Sequence, residues 1–219
     1  MNKAFVESPT TGSQLNRSTR WHMNEIFSLK KVDILKRLIC VCAEIQGQDA
    51  VSPHVLGRDG NMPSVRKAEI EMMLLTIAAE SSFVHRMQFS GGPARGLCGM
   101  EPATVLDTFR WLEGKTEYWK RLTSIWMGLK SIPFFTPTEE EVGEHLQKHD
   151  PFALALARLH YKMFPAKFPE DLWNQATYWK KIWNTAAGAG TVDYAMIEWE
   201  DCKCERMMKQ ALIFCDLVE

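Results

Sequence analysis

The chain has 219 residues, a formal net charge of −1 and 46% hydrophobic residues. That length fits one large domain, or one domain with an extra arm, and the hydrophobic content is enough for a sizeable core. The near-neutral charge gives no electrostatic reason to expect a nucleic-acid partner, and no apolar run approaches the roughly 20 residues that a membrane-spanning helix needs.

The first 20 residues are polar, with no basic stretch leading into an apolar segment, so no secretory signal is predicted. We therefore expect the chain to be made in the cytoplasm. No Cys-x-x-Cys pair occurs, which favours free thiols and gives no support to a zinc site. The sequence predicts no cofactor and no metal. The six cysteines are Cys40, Cys42, Cys98, Cys202, Cys204 and Cys215.

The N-terminal part predicts an arm and a helical extension. Residues 1–18 are rich in Ser, Thr and Asn, which is typical of a flexible or partner-dependent arm. In the extension, 19–62, apolar residues recur at helical spacing up to about Gln46, and Gly47 closes the helix. The remainder of the extension, 49–62, contains Pro and Gly and is predicted to be a loop.

The next helix is predicted to be central and buried. Ser64 is its expected N-cap, and residues 70–79 are apolar on nearly every face. Glu80 follows directly, where a helix C-terminus disfavours negative charge.

Helical patterns continue to the end of the chain, and no run of alternating strand residues appears. The sequence therefore predicts an all-α fold. Residues 63–191 would form the main domain and 192–219 a C-terminal helix. The further predicted helices are 104–112, 117–129, 139–148, 151–163, 170–184 and about 192–217.

Glu80 is the first candidate for chemistry. Ala79 and Phe83 flank it, and poor solvation raises the pKa of a carboxyl group, as a general acid at neutral pH requires. The alternative interpretation is a Glu that points to solvent or caps a neighbouring loop.

Two motifs support the catalytic interpretation. Residues 79–83 read Ala-Glu-Ser-Ser-Phe, and residues 94–104 read Ala-Arg-Gly-Leu-Cys-Gly-Met-Glu-Pro-Ala-Thr. In order and spacing they resemble the leading motifs of lytic transglycosylases, where Glu-Ser-x-Phe is followed by Ala-x-Gly-Leu-Met-Gln and Pro-Ala-Thr. A third segment, 178–191, resembles the late Tyr-Asn-Ala-Gly region of that family, in versions seen in bacteriophage-encoded members. The resemblance covers about 70–191.

The resemblance implies a lysozyme-like fold that binds peptidoglycan glycan strands. It implies that Glu80 is the single catalytic acid, which protonates the glycosidic oxygen between N-acetylmuramic acid and N-acetylglucosamine. The residues that it implies for substrate binding are Ser81, Gly96, Leu97, Gly99, Tyr178 and Asn184. A phenol such as that of Tyr178 is also a candidate hydrogen-bond donor to Glu80.

Two positions depart from the family pattern. Gly99 replaces a Gln whose amide normally contacts the sugar, and Trp183 replaces the Tyr that precedes Asn184. Losing one polar contact commonly costs about 1 kcal/mol. For the replacement of Gln by Gly99, the alternatives left open are weaker substrate binding, altered specificity and loss of activity.

The implied mechanism uses one acid and the N-acetyl group of the substrate, and it closes a 1,6-anhydro ring. Ordinary glycosidases instead use two carboxylates. Hydrolysis is the variant if Glu101 or Asp107 faces the groove, and the sequence leaves both open.

Other residues have simpler interpretations. His145 and His149 are interpreted as a solvated helix face rather than a metal site. Trp179 and Trp183 could stack on a sugar, but tryptophan at helical spacing is more often core. The methionines predicted to be packing residues are Met72, Met73, Met87, Met207 and Met208.

The sequence thus predicts a phage-encoded lytic transglycosylase, associated with the virion and acting on the host cell wall. The N-terminal arm or the C-terminal helix would contact other virion proteins. The competing interpretation is a virion structural or ejection protein that keeps the fold without effective turnover, which Gly99 and Trp183 favour. A sugar-binding module without chemistry is a third.

Overall fold

The computed structural model of the chain describes residues 17–47, 64–88, 91–125 and 137–218. This part of the chain is mostly helical, which confirms the all-α prediction. Its helices are α1 (Arg17–Gln46), α2 (Lys67–Ser81), α3 (Pro102–Leu112), α4 (Thr116–Ile125), α5 (Glu139–Lys148), α6 (Asp150–Lys162), α7 (Leu172–Trp179), α8 (Val192–Asp201) and α9 (Cys204–Ala211). A π-helical turn, Lys180–Asn184, extends α7, and the short strands are β1 (Ser64–Arg66) and β2 (Asp216–Val218).

Helix α2 lies at the centre of the core, as its sequence predicts. Its residues from Met72 to Ala79 are all buried, so the helix has neighbours on every side. α1, α6, α7, α8 and α9 all pack against it. The helix stops because Ser82 and Phe83 adopt left-handed backbone angles, with φ of 48° and 64°. This stop places Glu80 in the last turn of α2, at the edge of the core.

A buried ion pair joins α2 to α6. Arg158 Nη2 donates to Glu69 Oε1 at 2.5 Å, and both side chains are almost fully buried. Gln46 Nε2 donates to the other Glu69 oxygen at 2.6 Å, which adds the end of α1 to the network. The network satisfies both Glu69 oxygens where water is largely excluded.

The predicted start of α2 at Ser64 is wrong, because a short strand precedes the helix. Ser64 is not a helix N-cap: it begins β1, and Arg66 precedes the first helical residue. β1 pairs in parallel with β2, with Val65 opposite Leu217. The sequence gives no warning of this pairing, because each strand is three residues long.

The predicted single C-terminal helix, 192–217, is also wrong. The chain breaks at Lys203, which has a φ of 60°, and forms α8, α9 and then β2. Ala195 and Trp199 are buried, and α8 packs against α2 and α7. The segment 192–218 therefore belongs to the same core as α2 and is not a separate cap. Exposed apolar side chains remain at Ile197, Leu212 and Ile213.

Helix boundaries elsewhere agree with the sequence patterns to within a few residues. Pro102 opens α3, and Thr138 closes a capping box with Glu141 at the start of α5. The predicted arm falls largely on residues 1–16, which lie outside the described residues, as does the whole predicted loop 49–62. Arg17 and Ser18 of the predicted arm already belong to α1. The predicted helix 117–129 is described only to Ile125.

The cysteines are free, as predicted, and all of them except the half-buried Cys40 are buried. No helix in the described ranges has the length and apolar character to cross a membrane.

Candidate active site

Glu80 lies in the wall of a cleft of about 880 Å³. Burial raises the pKa of Glu80 from its ordinary value of 4.5 to about 7, and a hydrogen bond from Trp179 opposes that rise. A carboxyl group with a pKa near 7 is populated in both its acid and its base form at neutral pH. It can therefore both give and accept a proton there.

Trp179, at the end of α7, is the residue that contacts this carboxyl. Its indole Nε1 donates to Glu80 Oε1 at 3.2 Å, and the side chain is 1% exposed. The interpretation of Trp179 as a core residue is confirmed, but its polar edge also faces the site.

Tyr178 is not the donor to Glu80, contrary to expectation. Its hydroxyl oxygen is buried and has no hydrogen-bond partner among the described residues. Its ring packs against Tyr161 and Phe168, each with its centroid at 6.0 Å. Tyr178 does not line the cleft, because the last turn of α7 directs its neighbour Trp179 toward Glu80 instead.

The segment 94–104 forms a tight turn beside Glu80. Arg95 and Met100 exchange two backbone hydrogen bonds of 2.9 Å, and the residues between them form the turn. Gly99 lies against the acid: a Cβ built there would be 2.8 Å from Glu80 Oε2 and 3.0 Å from Glu80 Cβ. The backbone at Gly99 also has a φ of 57°, which favours glycine. The family's Gln could not occupy this position without moving the turn or the acid.

Gly96 and Leu97 have other surroundings. A Cβ at Gly96 would be 2.6 Å from the backbone oxygen of Leu146 in α5, so this glycine allows close packing of the turn on the fold. Gly96 also lines a smaller pocket that shares Glu80 and Gly99 with the cleft. Leu97 is fully buried in the core and does not line the cleft.

Ser81 is directed away from the cleft. Its side chain is buried, and its hydroxyl donates to the backbone oxygen of Ile77 at 3.0 Å. Such back-bonding within a helix leaves the hydroxyl of Ser81 occupied. Direct contact with a ligand would require this side chain to change its rotamer.

The late motif also lines the cleft. Asn184 lines the cleft, and Lys180 Nζ holds it by donating to Asn184 Oδ1 at 2.7 Å and to the Gly188 oxygen at 2.8 Å. A Cβ at Gly190 would be 2.6 Å from Trp179 Cη2. The glycines of the motif thus let the loop pass directly over the indole and the amide.

Further residues outside the predicted substrate-binding set also line the cleft. The neutral imidazole of His160 and the indole of Trp183 both line the cleft and pack edge to face, with ring centroids 5.3 Å apart. Burial lowers the pKa of His160 to about 4. Met87 was predicted to be a packing residue, but it is 55% exposed and lines the cleft. The sequence does not single out His160 and gives Met87 only as a packing residue, whereas it offers Trp183 as a residue that could stack on a sugar.

The described part of the cleft wall carries acidic side chains and no Lys or Arg. Among the described residues that line it, the only carboxylates are Glu80 and Glu101, and none is a Lys or Arg. Glu101, which precedes α3, therefore remains a candidate second carboxylate. Asp107 does not line the cleft: it is exposed and paired with Arg110.

The described residues contain no group of three or more His, Cys, Asp or Glu side chains that could hold a metal ion. His145 and His149 stack on each other with their ring centroids 5.5 Å apart at the end of α5.

Comparisons with protein-family models, with curated proteins and with solved structures return no significant match to this chain. Function is therefore inferred from the residues of the site.

Proposed function

We propose that this protein is a lytic transglycosylase with a lysozyme-like fold, which cleaves peptidoglycan between N-acetylmuramic acid and N-acetylglucosamine. The observation that carries the proposal is the Glu80 carboxyl, whose pKa is raised to about 7 in the wall of a large cleft. Motif order along 79–104 supports it from the sequence. A buried acid at the mouth of a groove is what protonation of a glycosidic oxygen requires.

The lining of the cleft supports a saccharide as the ligand. Nucleic acids are bound through phosphates that Lys and Arg neutralise, and neither residue lines the described part of the cleft. Asn184 offers an amide, and Trp183 presents part of an aromatic ring. Amide and aromatic groups match the hydroxyl, acetamido and apolar C–H faces of a glycan strand.

The proposed reaction has two steps, and Glu80 acts in both. Protonated Glu80 gives its proton to the glycosidic oxygen, which keeps the electron pair of the breaking bond to C1. The N-acetyl oxygen of the substrate bonds to C1 at the same time. The 6-hydroxyl of the muramic acid then attacks C1 and displaces the N-acetyl oxygen, while the Glu80 carboxylate takes the hydroxyl proton. The products are a 1,6-anhydro sugar and a new 4-hydroxyl, with no water consumed.

Hydrolysis is the variant reaction, with Glu101 activating a water molecule. Glu101 is exposed at the cleft wall, so water can reach it. The two reactions differ in their products by one water molecule. Mass spectrometry therefore separates them directly.

A phage setting completes the proposal: the chain would be carried with the virion and open the host wall. The competing interpretation, an inactive structural or ejection protein, drew on Gly99 and Trp183. Gly99 lies in direct contact with the acid, and its lack of a side chain is what that contact needs. This contact supports an active site, because a side chain at position 99 would meet the acid.

Incubation of purified peptidoglycan with the wild-type chain, Glu80→Gln and Glu101→Gln tests the proposal. We expect anhydromuropeptides from the wild type and from Glu101→Gln, and none from Glu80→Gln. Products with a reducing N-acetylmuramic acid end, formed by the wild type and lost in Glu101→Gln, would indicate the hydrolytic variant. Equal product from the wild type and Glu80→Gln, or none from any protein, would rule out Glu80 as the catalytic acid.

A further inference from the structure

The two oxygens of the Glu80 carboxyl have different neighbours. Oε1 accepts a hydrogen bond from the indole Nε1 of Trp179 at 3.2 Å. Oε2 faces Gly99, so closely that a Cβ there would be 2.8 Å away. The asymmetry of these contacts determines where a proton resides on the group.

An indole N–H is a donor and never an acceptor. In a neutral carboxylic acid one oxygen carries the hydrogen and the other is a carbonyl oxygen, which is the better acceptor. The Trp179 indole therefore pairs with the carbonyl oxygen, Oε1. The hydrogen is left on Oε2.

We propose that Oε2 of Glu80 is the oxygen that transfers the proton, that Trp179 is the positioning residue that fixes this assignment, and that Gly99 keeps Oε2 accessible because it has no side chain. This inference rests on the proposed function. It adds a role for Trp179 and for Gly99, which stands where the family motif has Gln.

Trp179 is held in place from its other side. Gly190 lies against the far edge of the indole, where a Cβ would be 2.6 Å from Cη2 and 3.1 Å from Asn184 Nδ2. Lys180 anchors the amide of Asn184 at 2.7 Å. A contiguous series of contacts thus runs from Lys180 through Asn184 and Gly190 to Trp179. Because the indole is fixed, the carboxyl has one preferred orientation.

The same orientation serves both steps of the reaction. In the first, the Oε2–H bond breaks and the proton moves to the glycosidic oxygen. In the second, Oε2 of the carboxylate receives the proton of the 6-hydroxyl. The indole remains on Oε1 throughout, and its hydrogen bond is stronger when the carboxyl is charged.

Gly99→Ala tests the access to Oε2, with Gly114→Ala as its matched control. Both glycines have positive φ, 57° and 76°, so both substitutions strain the backbone. A Cβ at Gly114 meets nothing within 4 Å, whereas one at Gly99 meets the acid. We expect Gly99→Ala to lower kcat by about 100-fold, as small misplacements of reacting groups do, and Gly114→Ala to stay close to wild type. Equal turnover in the two variants would overturn the proposal.

Trp179→Phe tests the positioning role, with Trp199→Phe as a control at another buried tryptophan. Loss of the N–H removes a stabilising contact from the carboxylate, so we expect the high-pH limb of the activity profile to move upward in Trp179→Phe only. A lower kcat with an unshifted limb in that variant would mean that Trp179 is merely structural and would overturn its assigned role.

An independent measurement uses the intact wild-type chain without substrate. The indole ¹H–¹⁵N signal of Trp179 should move with pH around a midpoint near 7, and this movement should vanish in Glu80→Gln. A signal that does not titrate would overturn the pairing. If the wild type cleaves no peptidoglycan, the proposed function fails, while this titration still supports or overturns the pairing itself.

Discussion

The hydroxyl of Tyr194 donates a hydrogen bond to the backbone oxygen of Ala79 at 3.1 Å, one residue before Glu80. The last carbonyls of a helix have no partner within the helix, and Ala79 belongs to the last turn of α2. Tyr194 lies in the first turn of α8, so this bond connects the two helices at the cleft. It holds the backbone that carries the acid.

Tyr194→Phe should therefore lower the free energy of unfolding by about 1 kcal/mol, the usual net value of one hydrogen bond. Tyr178→Phe is the matched control, because the Tyr178 hydroxyl is buried without a partner. Its removal should leave stability unchanged or raise it, since an unsatisfied buried polar group is costly. Urea unfolding of both variants measures the difference. Equal losses would contradict the assignment.

Gly99→Gln, which brings the sequence closer to the family motif, should lower activity rather than raise it. The longer side chain meets Glu80 at its first carbon and strains a backbone with positive φ. Gly114→Gln carries the same strain with open space around it and should retain activity. Rates of anhydromuropeptide release decide between them. A gain in activity for Gly99→Gln would show that the turn moves easily.

The raised pKa of Glu80 predicts a pH-dependent stability difference. The unfolded chain ionises Glu80 around pH 4.5, whereas the folded chain does so around pH 7. Between these values the folded state binds more protons, so Glu80 destabilises the fold progressively as pH rises from 4.5 to 7, and no further above that. Glu80→Gln removes this effect.

The difference in unfolding free energy between Glu80→Gln and the wild type should therefore shift in favour of the variant by about 3 kcal/mol across that window. Chemical denaturation at pH 4, 5.5, 7 and 8 follows it. A difference that is constant with pH would mean that the Glu80 carboxyl is well solvated.

Arg158→Met should destabilise the fold by about 3–5 kcal/mol, because it leaves Glu69 charged and buried without its partner. Replacing both residues by Met should recover much of that loss, since no buried charge then remains. The exposed pair Lys209–Glu205 is the control, and Lys209→Met should change thermal unfolding little. Similar losses in Arg158→Met and the double variant would contradict a dominant role for the unpaired charge.

The sequence predicted features whose causes are local. The apolar run before Glu80 predicts the central helix, and the helical pattern of 139–148 predicts α5 with its observed bounds. The sequence could not predict that Trp179 is the hydrogen-bond partner of Glu80, because the two residues are 99 positions apart. Tyr178 is the neighbour of Trp179 in α7, and the sequence pattern does not show which of the two side chains faces the acid. Nor could it predict the pairing of β1 with β2, which depends on contacts across most of the chain. Met87 is predicted to pack because methionine usually does, and residue type alone does not show that this side chain is exposed in the cleft wall.

The parallel pairing of β1 with β2 also bears on how the chain folds during synthesis. β1 leads directly into α2, which carries Glu80, yet Arg66 finds its partner only at Val218. A nascent chain therefore lacks this anchor until the ribosome has passed residue 218, long after α2 has been made. The contact that anchors the start of α2 therefore forms only after every other described helix has been synthesised.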